Sequence, residues 1–272
     1  MLSKNLFLSS AAFFVLVSLP LIGSVGASSE MWSQTYGGAS SDSAEAMVQT
    51  SDGGYALAGA TNIRINHSDA DFWLIKTDAY GNMLWNKTYS KDVDYADSVV
   101  ETSDGGYALA GSTGFWYPHA FWLVKTDETG NMKWNKKYGG IDHGHFASAR
   151  SLVVTSDGGF ALAGKTDHAG AGGYDFWLIK TDADGSMMWN QTYGGAEDDI
   201  AHSLVVTSDG GFAIAGETSS FGAGDSDFWL VKTNEYGIIP EFPSWIIIPL
   251  FLTATLAAIF YSKRVRARLR HF

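Results

Sequence analysis

The stretch Asp157-Gly158-Gly159-Phe160-Ala161-Leu162-Ala163-Gly164, followed by Asp175-Phe176-Trp177-Leu178-Ile179-Lys180-Thr181 and by Met187-Met188-Trp189-Asn190-Gln191-Thr192-Tyr193, decides the fold because its pattern recurs: the first two parts occur four times in near-copies, and the third follows them three times. Its turns stand at Asp52-Gly53-Gly54, Asp104-Gly105-Gly106, Asp157-Gly158-Gly159 and Asp209-Gly210-Gly211, 52, 53 and 52 residues apart. The Phe-Trp pairs are Phe72-Trp73, Phe121-Trp122, Phe176-Trp177 and Phe228-Trp229, and Trp-(x)3-Tyr blocks begin at Trp32, Trp85, Trp134 and Trp189. A period near 50 residues marks a propeller, solenoid or array, in which one unit cannot bury its apolar face alone.

Each copy reads as four strands. In the third copy these are A, Ala149 to Thr155; B, Phe160 to Thr166; C, Asp175 to Thr181; and D, Met187 to Tyr193. Period-two alternation is clear at Tyr55, Leu57 and Gly59 against Ala56, Ala58 and Ala60, which argues for strand. Asp-Gly-Gly reads as the A–B hairpin turn, with glycine taking a positive φ without steric cost. Asp78-Ala79-Tyr80-Gly81, Asp127-Glu128-Thr129-Gly130 and Asp182-Ala183-Asp184-Gly185 turn C into D. Four antiparallel strands per repeat make a propeller blade. The expected fold is all-β: a β-propeller of four four-stranded blades over residues 28–237, plus one C-terminal transmembrane helix. A Trp strand precedes the first repeat (Trp32 to Tyr36) while the last repeat lacks one, so the N-terminal strand is expected to supply strand D of the last blade and close the ring. The alternative is a dimeric eight-blade ring.

Thr77-Asp78-x-x-Gly81-x-x-x-Trp85, repeated through Trp134 and Trp189, resembles the tryptophan-docking motif of quinoprotein propellers, shortened by one residue in the turn. That likeness implies that the strand-D tryptophans pack between neighbouring blades. The Gly-Gly turn is similar to that of kelch repeats. Over residues 32–237 the chain resembles a family of prokaryotic extracellular repeat proteins with Trp-x-x-x-(Tyr/Phe)-Gly-Gly, Asp-Gly-Gly-Tyr and Asp-(Tyr/Phe)-Trp-(Leu/Ile)-(Val/Ile)-Lys blocks. The resemblance implies a β-propeller and no single activity.

The ends carry targeting features. Residues 1–27, with Lys4, an apolar stretch from Leu6 to Ile22 and Val25-Gly26-Ala27, read as a secretory signal peptide, with a retained anchor as the alternative. Residues 245–261 are an uncharged apolar helix candidate near the lower length limit for crossing a bilayer. Lys263, Arg264, Arg266, Arg268 and Arg270 follow, which places the basic tail, 262–272, in the cytoplasm and the repeats outside. The expected location is therefore the cell membrane, single-pass, with the repeat domain extracytoplasmic. Pro240-Glu241-Phe242 lies in the linker, 238–244. Tripeptide, helix and basic tail together resemble the archaeal Pro-Glu-Phe sorting signal, which implies a membrane sorting transpeptidase of the archaeosortase kind as a partner. A plain anchor is the alternative.

All 29 acidic residues lie between positions 28 and 243, and six of the 18 basic residues lie outside that span. A strongly acidic exposed domain excludes nucleic acid as partner. There is no cysteine, so neither disulfide nor thiol nucleophile exists. No cofactor is implied. Sequons at Asn66, Asn86 and Asn190 are candidate glycosylation sites.

Alternation puts the A–B and C–D turns on one face and the B–C and D–A loops on the other. The first set repeats and the second does not, and variable loops on one face are where binding sits. Candidate ligand-binding residues there are Arg64, His67, Trp116, Tyr117, His119, His168, Tyr174 and Phe221. Trp116 and Tyr117 suit stacking on a sugar or gripping a peptide. Asp142, His143 and His145 form a candidate metal set, since alternate residues of an extended segment face one way. One strand-A position varies in charge (Glu45, Asp97, Arg150, His202) and forms a polar cluster if it faces a central channel. No serine lies in a Gly-x-Ser-x-Gly context and no carboxylate pair stands out, so no catalytic residue is assigned. The expected function is a cell-surface-anchored, non-catalytic β-propeller binding glycans, peptides or partner proteins through its variable face. The alternatives are a quinoprotein-like or glycan-cleaving enzyme and a structural surface-coat spacer.

Overall fold

The computed structural model describes residues 31–63, 70–89, 93–114, 119–139 and 145–240. It is all-β over these residues. The first sheet is β1 (Ser41–Gln49), β2 (Tyr55–Ile63), β3 (Asp71–Thr77) and β4 (Met83–Tyr89). The second is β5 (Asp94–Glu101), β6 (Tyr107–Thr113), β7 (Ala120–Thr126) and β8 (Met132–Tyr138), and the third is β9 (Ala147–Val154), β10 (Phe160–Thr166), β11 (Asp175–Thr181) and β12 (Met187–Tyr193). The last holds β13 (Asp199–Val206), β14 (Phe212–Thr218) and β15 (Asp227–Thr233). Every sheet is an antiparallel meander in chain order, three of four strands and one of three. In the third copy, strands B, C and D fall on the expected residues, and strand A starts two residues earlier.

The strand-C lysine and the turn aspartate form a unit that turn reasoning alone does not reveal. Lys76, Lys125, Lys180 and Lys232 donate from Nζ to Asp52, Asp104, Asp157 and Asp209 at 2.8–2.9 Å. Each Nζ also donates to the carbonyl of the next threonine, at 2.7 Å for the first three. The first three lysines are buried. A side chain on the second glycine of the turn would overlap both that carbonyl and the ammonium, so Asp-Gly-Gly needs its second glycine for the lysine and its first for a positive φ. Lys76 and Thr50 hold the Asp52 carboxyl well below the usual carboxylate range. At Asp157, burial works upward but Lys180 and Thr155 outweigh it, leaving a pKa of about 2.

Blades stack by one repeated contact set. Phe72 packs on Trp122, Phe121 on Trp177 and Phe176 on Trp229, with ring centroids 4.5, 4.7 and 4.7 Å apart. Tyr89, Tyr138 and Tyr193 donate their hydroxyls to the carbonyls of Gly130, Gly185 and Gly237 in the next blade's C–D turn. Trp85, Trp134 and Trp189 lie against those same glycines, where any Cβ would strike the indole. The tryptophans therefore do pack between neighbouring blades. Three apolar clusters fill the three junctions.

The innermost strands pack in series, β1 on β5, β5 on β9 and β9 on β13, and β13 makes no comparable contact with β1. Among the described residues the expected clasp is not formed: residues 31–38 carry no strand, and β15 pairs with β14 alone. Exposure at the two ends agrees with this. Phe228 and Leu230 on the last blade are 103% and 70% exposed, and Met47 on the first is 61% exposed, while their interior equivalents are buried. The blades thus form a row whose ends do not meet. The expected signal peptide (1–27), Glu241 and Phe242 of the Pro-Glu-Phe motif, the C-terminal helix and the basic tail lie outside the described residues. Among the described residues no helix is long and apolar enough to cross a membrane.

Candidate functional site on the variable-loop face

The third blade gathers several of the non-repeating residues into one cluster. The next-to-last residue of strand β10 is Lys165, where the other copies have Ala60, Ser112 and Glu217. Its ammonium lies 4.0 Å from the Tyr174 ring centroid and 5.1 Å from that of Phe146. Phe146 and Tyr174 meet edge to face at 5.7 Å, and the His119 ring lies tilted against Phe146 at 4.8 Å. The His145 and His168 rings meet edge to face at 4.7 Å, and His145 Nδ1 lies 3.4 Å from Asp167 Oδ1. That Asp167 oxygen also accepts the Phe146 amide at 2.6 Å, which fixes the imidazole beside its carboxylate.

The backbone beneath the cluster does repeat. Asp94, Ala147 and Asp199 donate their amides to the carbonyls of Ala70, His119 and Tyr174, so the start of each strand C is tied to the next blade's strand A. Position 174 and its equivalents on the first two blades therefore sit in one place, and the side chain changes: Ala70, His119 and Tyr174, with Ser226 at the matching sequence position of the last blade. Lower in the same loops, Asp175 and Asp199 are buried and hold amides: Ala171 donates to Asp175 and Gly195 to Asp199, each at 2.9 Å. Burial, together with the nearby Asp199 charge, pushes the Asp175 carboxyl up.

Electrostatically the cluster is a desolvated cation beside neutral rings. Burial lowers the Lys165 ammonium, and Arg150 adds to this against the pull of Asp198, Glu217 and Asp167. Burial likewise lowers His119, favouring its neutral form. An ammonium on an aromatic face, three imidazoles and a carboxylate offer stacking surface together with donors and acceptors.

Of the residues singled out from the sequence, His119, His145, His168 and Tyr174 come together here. Phe221 sits on the neighbouring blade, half exposed, with its ring 5.2 Å from Trp229. Arg64, His67, Trp116, Tyr117, Asn66, Asp142 and His143 lie outside the described residues. Among the described residues no group of three His, Asp or Glu side chains is placed to hold a metal. Asn86 and Asn190 accept the indole N–H of Trp73 and Trp177 at 3.2 and 3.1 Å, and Asn135, in no sequon, does the same for Trp122. The amide at this repeat position therefore has a structural task. Sequence reasoning missed Lys165 and Phe146. Its available signal was the Ala-Ser-Lys-Glu variation at one strand-B position.

The charged strand-A position divides. Burial pushes the Asp97 carboxyl up to about 6, with the Arg150 charge opposing and the Glu45 charge adding to it. His202 instead lies 3.5 Å from Glu217.

No family model matches the chain, and no curated protein matches it. Among solved structures it is similar to a protein of unknown function from Bacteroides caccae, with 12% identity and a TM-score of 0.46 over 73% of this chain and 60% of that one. It is also similar to Sqt1 from Chaetomium thermophilum, with 12% identity and a TM-score of 0.42 over 66% of this chain and 42% of that one. The chain thus spans less than two thirds of either neighbour.

Proposed function

We propose that this chain is a non-catalytic β-propeller subunit, held at the cell surface by its C-terminal segment, that binds a glycan, peptide or partner protein through its variable-loop face. The observation that carries this reading is the Lys165–Tyr174–Phe146 stack with His145, His168 and Asp167 beside it. It is built from positions that differ in every copy, around a backbone tie that recurs at all three junctions. Packing demands explain what repeats, but no packing demand explains an ammonium and three imidazoles gathered at one loop cluster. Fold alone would not assign a task. Ring faces framed by polar groups suit a sugar ring or a peptide side chain. Signal peptide, Pro-Glu-Phe motif, apolar helix and basic tail support export and anchoring.

The test is attachment of the full chain to a glycan array and to a cell-envelope fraction, with Lys165→Ala and Tyr174→Ala as variants. These give blade three the residues that blade one has at Ala60 and Ala70, so folding is preserved. Loss of attachment supports the reading, and undiminished attachment of the double variant sinks it.

A further inference from the structure

The two ends of the row are complementary halves of the contact that joins its blades. At every internal junction a strand-C phenylalanine and leucine (Phe72 and Leu74, Phe121 and Leu123, Phe176 and Leu178) are buried against the next blade's strand-A Val99, Leu152 or Leu204 and strand-C tryptophan. The last blade presents the same pair, Phe228 and Leu230, to solvent, along with Ala215. The first blade presents the matching receiver: Met47 and Ala44 are exposed, and a recess lined by Tyr36, Ala44, Leu57, Trp73 and Ile75 opens where the interior blades take up a phenylalanine.

The hydrogen bonding shows the same deficit. Tyr36 donates to the carbonyl of Gly81 at 2.6 Å, as Tyr89, Tyr138 and Tyr193 do to the blade that follows each of them. Tyr36 therefore stands where strand D of a preceding blade belongs, and the Trp32-to-Tyr36 block has the sequence of such a strand. Among the described residues that preceding blade has no strands A to C. At the other end, β13–β15 is a blade with strands A to C and, among the described residues, no strand D on its β15 edge.

We propose that a second copy of this chain completes both ends: Phe228 and Leu230 of each copy enter the Trp73–Met47 face of the other, and the segment ending at Tyr36 adds as fourth strand to the partner's β15. The three internal junctions share one geometry, and four blades joined by it leave the ends of a single chain apart, so a fourth junction of that kind must be made with another molecule. Two copies close the series at eight blades, at the upper end of the usual range of about four to eight, and remove both open edges. A twofold arrangement satisfies both junctions at once.

The chain has no cysteine, so introduced thiols report without background. Leu230 and Met47 are at the positions that share a cluster at each internal junction, and both are exposed, so Leu230→Cys and Met47→Cys do not disturb the fold. Full chain carrying both, treated with a short bismaleimide, is expected to give a two-chain product as the main species. Adding Phe228→Asp, also at an exposed position, is expected to abolish that product. Light scattering of the detergent-solubilised full chain is expected to give twice the chain mass. A link confined to one chain would overturn the proposal in favour of self-closure. Two freely reactive thiols with a single-chain mass would overturn it by leaving the ends open.

Discussion

The repeat allows one substitution to be made in two environments without changing its chemistry. Leu123 and Leu230 occupy the same place in Phe-Trp-Leu, but Leu123 is fully buried between blades and Leu230 is 70% exposed at the end of the row. Removing a buried leucine's three outer carbons forfeits their transfer energy and leaves a cavity, together about 2–5 kcal/mol. Leu123→Ala is expected in the upper part of that range, because Leu123 lies in a close cluster with Leu152 and Trp177 that has little freedom to collapse. Leu230→Ala removes atoms already mostly in water, so in a dilute, single-chain state its cost is about 0.5 kcal/mol or less. Urea unfolding of both variants at low protein concentration gives the comparison directly, read as midpoint shifts at constant slope. As protein concentration rises, the Leu230 cost is expected to grow, since an end buried by a second copy is linked to mass action. Equal costs for the two variants at every concentration would refute the assignment of Leu230 to an open end.

Other consequences follow from the pairs and the pH-sensitive groups. Lys125→Met leaves the partly exposed Asp104 without its buried partner and is expected to cost about 1–3 kcal/mol, measured by thermal unfolding. The four Asp–Lys pairs have carboxyl pKa values held low, so their stabilisation is full above about pH 4 and is lost as pH falls through the depressed values, near 2 for Asp157; an acid titration of stability checks this. Asp97 works in the opposite sense. Its folded pKa lies above its unfolded one, so its contribution is full below about pH 4 and lost as pH rises through about 6. At ~1.4 kcal/mol per pH unit this amounts to at most about 3 kcal/mol, and Asp97→Asn is expected to flatten the stability profile across that window. Tyr138→Phe removes the buried bond to Gly185 and is expected to cost about 1–2 kcal/mol in unfolding experiments.

Much of the fold was legible because two signals agreed along the whole chain. The period-two alternation in Tyr55–Ala60 and the glycine turns place the strands, and four copies of each remove the ambiguity that a single short apolar run carries. The docking of Trp85, Trp134 and Trp189 was also legible through a motif resemblance. What the sequence did not convey was how the copies close. The clasp was inferred from the count of Trp strands, but whether the ends of a row meet depends on the angle at each junction, which no local pattern encodes. The Asp–Lys pairs were missed for a different reason: Asp-Gly-Gly has a sufficient explanation as a turn, and the partner lysine stands 21–24 residues away on strand C.

The site was half legible. Loop variability singled out His119, His145, His168 and Tyr174, and the fold brings these four into one neighbourhood. Phe146 and Lys165 were passed over because one reads as an ordinary apolar residue and the other lies within a strand. A strand position that runs Ala, Ser, Lys and Glu through four copies keeps its place while its chemistry changes: Ala60 is buried there in a small apolar cluster, and Lys165 sets its ammonium on the Tyr174 ring.

The account rests on a division between repeated positions that build the molecule and unrepeated ones that act. Its most direct test is the dissociation constant of the full chain for its envelope or glycan target, with Lys165→Ala/Tyr174→Ala set against the repeated-position variant Lys232→Met. The account predicts at least a roughly tenfold weakening, about 1.4 kcal/mol, for the first and no change for the second. Equal binding by both variants, or weakening confined to Lys232→Met, would contradict it.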